Sequence, residues 1–421
     1  MSTPESEHQQ WYIEEIPATE SDEAGICAAS SKSVCPSTAD GVLQKTTTAL
    51  ETLEIGPATL ETAQSKAESV DNADEAGQAP FGDMARVEPA VGSRSWASKS
   101  FAPTSSTQSP PPRGGCSWTK VGSKYLLFGG ADACQQHFAD VHCFDAATGT
   151  WEKMAVKGTP PSPRSGHSAV ALEASLVVYG GMNGQDGVTF NDLFELHTGT
   201  MEWTCLACTD APPRNSHAAV LHGDTMIIIG GASPEGQTDD VSTVDLSDRS
   251  NLSFRRVCCR PLDPGDRVGR SGADADVPVA REMHTACLYD SKAAGGGEPL
   301  ILLMGGRSAD GVLRDLFSLS TDSWVWTRLK DAPVPRCAHS ACVVGGMMVL
   351  HGGWDGGTTV ADDVRLYDLQ SGEWTIASVS PRPPGRFAHA ACAGMGKDLL
   401  VFGGVNPGAD LTDVVVLTSS Y

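Results

Sequence analysis

The chain has 421 residues, 19% of them charged, and a formal net charge of −22. That length suffices for one large body plus a tail. The charge excludes a general binder of nucleic acid or anionic membrane, because its long-range field would repel either. No apolar run reaches the roughly eighteen residues of a transmembrane helix, and the acidic, polar start MSTPESEHQQ does not read as a secretory signal.

Residues 1–92 are rich in Ser, Thr, Glu, Ala and Pro, and residues 1–95 carry 17 acidic and 5 basic side chains. Such a composition cannot bury enough apolar surface to offset its ordering entropy, so a disordered acidic tail is expected there. Trp11, Tyr12, Ile13 and Ile16 have the composition of a short docking motif, with a solvated tail as the plainer reading. A Pro/Ser stretch, Pro103 to Pro112, leads into a regular region.

From there a Gly doublet closes six apolar runs, beginning at Gly129, Gly180, Gly230, Gly305, Gly352 and Gly403. The intervals of 51, 50, 75, 47 and 51 residues define a repeat of about fifty. Arg-x-x-His precedes the doublet: Arg164/His167, Arg214/His217, Arg281/His284, Arg336/His339 and Arg386/His389, with Arg113/Cys116 opening the series. An acidic residue follows at Asp140, Asp192, Asp240, Asp315, Asp363 and Asp413. Eleven residues later stands Trp151, Trp203, Trp326 or Trp374, with Phe254 fourteen on in the third repeat.

Short β-rich runs separated by turn residues fill the intervals; HSAVAL, SLVVYGG, NDLFELHT and MEWTCL read as four strands, a to d. Two insertions are expected, Ala293–Glu298 in one a–b turn and roughly 255–280 between the third and fourth repeats.

The doublet, the spaced aromatic and the Arg-x-x-His variant resemble kelch repeats over about residues 94–421. The resemblance implies an all-β fold, a six-bladed β-propeller of four-stranded antiparallel blades. It occupies residues 93–421 on this reading. The aromatic expected after Asp413 would fall beyond Tyr421, whereas Trp96 stands 17 residues before Arg113. Residues about 93–99 are therefore expected to close the last blade, leaving no open sheet edge. Trp96, Trp151, Trp203, Trp326 and Trp374 are the expected structural aromatics.

In an up-and-down blade the b–c and d–a links share one face. Arg113, Arg164, Arg214, Arg281, Arg336 and Arg386 are expected there, with Asn183, Arg307, Trp354 and Asn406 following the doublets. Kelch proteins that capture acidic peptides imply a partner-binding role for these residues, and planar guanidinium groups suit carboxylates or phosphates. The alternative is that each arginine holds its blade by bonding loop carbonyls or an acidic side chain. Arg255, Arg256, Arg260, Arg267 and Arg270 in the second insertion are read either as acid-recognising or as merely solvating.

The histidines recur once per blade, which is what a structural role predicts. The 13 cysteines show no framework spacing, and valine fills the place of Cys287, Cys342 and Cys392 in sister repeats, so small buried hydrophobes in a reducing compartment are expected. The expected function is a monomeric, non-enzymatic, cytoplasmic or nuclear adaptor without cofactor, binding an acidic or phosphorylated protein segment. The alternative is a metal-dependent kelch-type enzyme resembling a copper oxidase or an iron-dependent specifier protein.

Overall fold

Period-two alternation of apolar and polar residues, punctuated by tight turns, produces short antiparallel sheets. In the second repeat Ser168–Leu172, Ser175–Tyr179, Leu193–His197 and Glu202–Leu206 pair in chain order. The second strand is buried along its whole length, whereas the outer one buries only Trp203 and Leu206. This computed structural model describes residues 95–102, 108–262, 277–290, 297–394 and 396–419. The tail reading and its boundary at 92/93 lie outside those residues, as do Arg267 and Arg270.

The same four-stranded unit occurs six times, so the chain is a six-bladed β-propeller. The inner strands are Ser117–Val121, Ser168–Leu172, Ala218–His222, Thr285–Tyr289, Ser340–Val344 and Ala390–Ala393. Each neighbours the inner strands on both sides, and the sixth meets the first. In the sixth blade the outer antiparallel strand is Ser95–Phe101, which pairs with Val414–Ser419 from Trp96↔Ser419 to Phe101↔Val414. Distant segments of the chain thus share one sheet.

Arg255 and Arg256 belong to the outer strand of the third blade, Leu252–Val257, and not to an inserted loop. Arg260 begins the two-residue strand Arg260–Pro261, which runs parallel to the outer strand of the fourth blade. The insertion therefore starts later than the sequence implies, because the pairing with Val241–Asp245 continues through the two arginines to Val257.

Among the described residues the core consists of six apolar clusters, each drawn from two adjacent blades. An outer-strand aromatic from each blade joins the preceding one. Trp151 meets Phe402 at 5.1 Å between ring centroids, Trp203 meets Phe128 at 5.1 Å and Phe254 meets Tyr179 at 4.7 Å. Trp326 packs with Ile227 and Ile229, and Trp96 with Val349 and Leu366. Trp374 is only half-buried, and its indole N–H donates to the Lys330 carbonyl at 2.8 Å.

Candidate functional site

The repeat arginine, the doublet glycine and the acidic residue form one network in each blade. In the second, Arg164 lies 0% exposed, and its Nη1 donates to the Gly180 carbonyl at 2.9 Å. Nη1 and Nη2 also grip the Asp192 carboxylate, Nε donates to the Ser162 carbonyl, and the guanidinium stacks 4.0 Å from the Phe190 ring centre. The equivalent ion pairs are Arg113–Asp140, Arg214–Asp240, Arg281–Asp315, Arg336–Asp363 and Arg386–Asp413; all six span 2.5–3.5 Å. The arginines are at most 3% exposed. Arg113, Arg164, Arg214, Arg281, Arg336 and Arg386 thus do not form an open partner-binding ring. Their donors are directed to a carbonyl and a carboxylate of their own blade, the alternative role weighed from the sequence.

The doublet glycines seat this network. A Cβ on Gly180 would come within 2.5 Å of the Arg214 carbonyl, and one on Gly181 within 2.8 Å of His167 Cβ. Both adopt positive φ, 63° and 97°, which L side chains rarely take. The Gly181 amide then donates to the Arg214 carbonyl of the next blade at 2.8 Å. The series closes with the Gly404 amide on Arg113 at 3.1 Å.

Each repeat histidine reaches back one blade. Nε2 of His167, His217, His339 and His389 lies 2.8–2.9 Å from the hydroxyl of Ser117, Ser168, Thr285 or Ser340. The third blade has Ala218 in that place, and His284 instead donates to the Ile229 carbonyl at 3.1 Å. Burial, reinforced by the adjacent arginine, lowers His167 and His284 to about 3. His217, His339 and His389 are lowered for the same first reason. These rings are neutral structural members. Burial alone would raise the Asp140 carboxyl, but hydrogen bonds from His142 and Arg113 more than reverse that and hold it well below the carboxylate range.

A ring that the sequence did not mark lies just before the histidines. Gly166 donates to Gly115, Ser216 to Gly166, Met283 to Ser216, Ala338 to Met283, Ala388 to Ala338 and Gly115 to Ala388, all N–H to C=O at 2.7–2.9 Å. All six residues have φ between 51° and 64°. This closed annulus fixes the residue preceding each member, and those residues bridge to the start of a b–c loop. The bridges are Gly114↔Ala131, Ser165↔Met182, Asn215↔Ala232, Glu282↔Arg307, Cys337↔Trp354 and Phe387↔Val405.

That rim is uneven. Arg307 is partly exposed and donates to Glu282 at 2.6 Å, and Gln237 donates to the same carboxylate oxygen. Trp354 and Phe387, both half-buried, face each other at 6.4 Å with planes 34° apart. Asn183 and Asn406 stand one position beyond the slot of Arg307 and Trp354. Asn183 is buried and accepts from the Gln185 amide, while Asn406 accepts from Gly408 and donates to the Gly385 carbonyl at 2.5 Å. Both shape loops. Phe387, Glu282 and Met182 escaped the sequence reading because their place in Arg-x-x-His, or beside the doublet, varies freely between repeats.

Residues 90–273 and 267–420 match the family described as the KLHDC2/KLHL20/DRC7 Kelch-repeats domain. The chain belongs to the kelch-repeat family. This kelch propeller is similar to acyl-CoA-binding domain-containing protein 5 of Arabidopsis thaliana, 43% identical over 21% of the chain and 14% of that protein. It also resembles serine/threonine-protein phosphatase BSL2 of the same plant, at 26% identity over 70% of the chain and 32% of the relative. Host cell factor 1 of Homo sapiens is 30% identical over 63% of the chain and 13% of its own length. The chain therefore spans a third or less of these relatives' lengths. Among the described residues no group of three or more His, Cys, Asp or Glu is arranged to hold a metal ion. No described helix is long and apolar enough to cross a membrane.

Proposed function

We propose that this kelch propeller is a protein-interaction module whose b–c loop rim receives a segment of a partner protein. One observation carries the reading. Trp96, Trp151, Trp203, Phe254 and Trp326 are drawn into the interfaces between blades, whereas Trp354 and Phe387 leave aromatic surface at the rim of the annulus. Partly exposed aromatic groups on a rigid frame are the usual anchors of a binding surface. The annulus and the glycine–arginine bonds hold the rim loops, so little ordering entropy opposes docking.

The acidic or phosphorylated segment expected from an open arginine ring would meet Arg307 at this rim, a guanidinium that Glu282 already holds at 2.6 Å. Cys287 and Cys392 are buried among apolar neighbours as small hydrophobes, which fits a reducing, cytosolic or nuclear setting. The test pairs two sets of substitutions in affinity purification from the native cell. Trp354→Ala with Phe387→Ala should remove specific partners, and Glu173→Ala with Asp224→Ala on the opposite turns should leave them. Loss with the second pair alone would move the binding surface to the other end.

A further inference from the structure

The six ion pairs have a consequence for the charge of the rim. Once each repeat arginine is matched with its aspartate, the carboxylates left on the b–c loops set the local potential. Asp132, Asp186, Asp310 and Asp355 stand one to a loop on the first, second, fourth and fifth blades, and the third carries Glu235 and Asp239. None of the six lies within ion-pair distance of a cation among the described residues. Among the described residues, cations on this side are engaged: Arg256 by Asp240, Arg307 by Glu282, Arg314 by Asp331 and Arg382 by Asp362.

The aromatic pair sits within this acidic rim. Trp354 immediately precedes Asp355, whose carboxylate accepts from the Gly357 and Thr359 amides and stays ionised in that loop. A Cβ on Gly356 would touch Val312 at 2.7 Å, so the loop bearing Trp354 lies against the hairpin that bears Asp310. A half-buried indole on a loop that also carries Asp355, beside a hairpin that carries Asp310, is an environment for a cationic side chain. The ring quadrupole and the carboxylates act with the same sign.

We infer that the rim selects a basic protein segment, with a lysine or arginine of the partner set over Trp354 and further cations along Asp310 and Asp355. The inference rests on the rim being the docking surface and names its partner class. Acidic side chains on the partner would meet uncompensated carboxylates, and like-charge juxtaposition opposes such pairing. The net charge of −22 would speed encounter with a basic segment and make it salt-sensitive.

The test is fluorescence anisotropy of the full chain with three short peptides of equal length, one lysine- and arginine-rich, one glutamate-rich and one phosphoserine-bearing. The basic peptide should bind, and Trp354→Ala should weaken it by about fivefold or more. Asp310→Asn with Asp355→Asn, which keeps the loop-capping oxygen, should weaken it similarly and reduce its salt dependence. The Trp354→Ala arm changes no charge, so it separates the rim from attraction to acidic residues 1–95. Basic-peptide binding that ignores both variants would overturn the inference. Glutamate or phosphoserine peptide binding weakened by Trp354→Ala or Arg307→Ala would also overturn it while upholding the rim as the docking surface. Binding of every peptide unaffected by every rim variant would count against both.

Discussion

The amide of Gly115 donates to the carbonyl of Ala388 at 2.9 Å, joining the first blade to the sixth. It is the last of six such bonds, and it closes the annulus on which the rim loops stand. The outer strand supplied by Ser95–Phe101 closes the same ring at its periphery. Inner and outer closures are physically separate and can be tested separately.

Trp96 is 4% exposed and packs into the cluster shared by the fifth and sixth blades. Trp96→Ala should cost roughly 3–5 kcal/mol, and Trp374→Ala, which is half-buried, should cost clearly less. Urea denaturation of the two variants checks the order. Removing residues 1–92 should leave stability nearly unchanged, whereas removing 1–102 should expose a sheet edge and promote aggregation. Equal behaviour of the two truncations would contradict the outer closure.

Arg164→Ala leaves Asp192 without its guanidinium and deprives the Gly180 carbonyl of a donor. Removing one member of a buried pair costs about 3–5 kcal/mol, and the 30% exposure of Asp192 places this case toward the lower end. Arg164→Lys should restore little, because one ammonium cannot reproduce the forked contacts. Thermal unfolding of the two variants provides the measurement; a lysine variant as stable as the parent would contradict this geometry.

Stability should fall steeply in mild acid. Burial holds His167 and His284 near 3 and lowers His217, His339 and His389 below their ordinary value. A depressed histidine folds in its neutral form, so its contribution is present above the unfolded pKa of about 6.5 and is lost as pH falls toward the folded value. Each adds a slope of about 1.4 kcal/mol per pH unit within that window. The depressed Asp140 acts in the same direction, but only below the ordinary carboxylate range near 3.8. Urea midpoints at pH 7 and pH 5 should differ strongly. His167→Cys, copying the Cys116 of the first blade, should shrink the difference by about one histidine's share.

The repeat, the strand order and the outer aromatics were legible because they recur at fixed spacing. The pairing of Arg164 with Asp192 was legible in principle, since a cation and an anion recurring once per blade at one end will meet. The sequence reading weighed an acidic partner for each arginine without naming it, because 26 to 34 residues separate the two along the chain. The annulus was not legible. Gly115 and Gly166 hint at positive φ, but Ser216, Met283, Ala338 and Ala388 take the same conformation only because the inter-blade bonds impose it. Phe387 and Trp354 belong to no recurring type, so nothing in the sequence joined them.

Site-specific photocrosslinking tests the central claim most directly. A photoreactive side chain placed at Gln185 or Ala309, on the rim, is predicted to capture specific partner proteins in the native cell. The same group at Glu173 or Asp224, on the opposite turns, is predicted to capture none of them. Adducts from the opposite turns with none from the rim would contradict the assignment of the b–c loops as the binding surface.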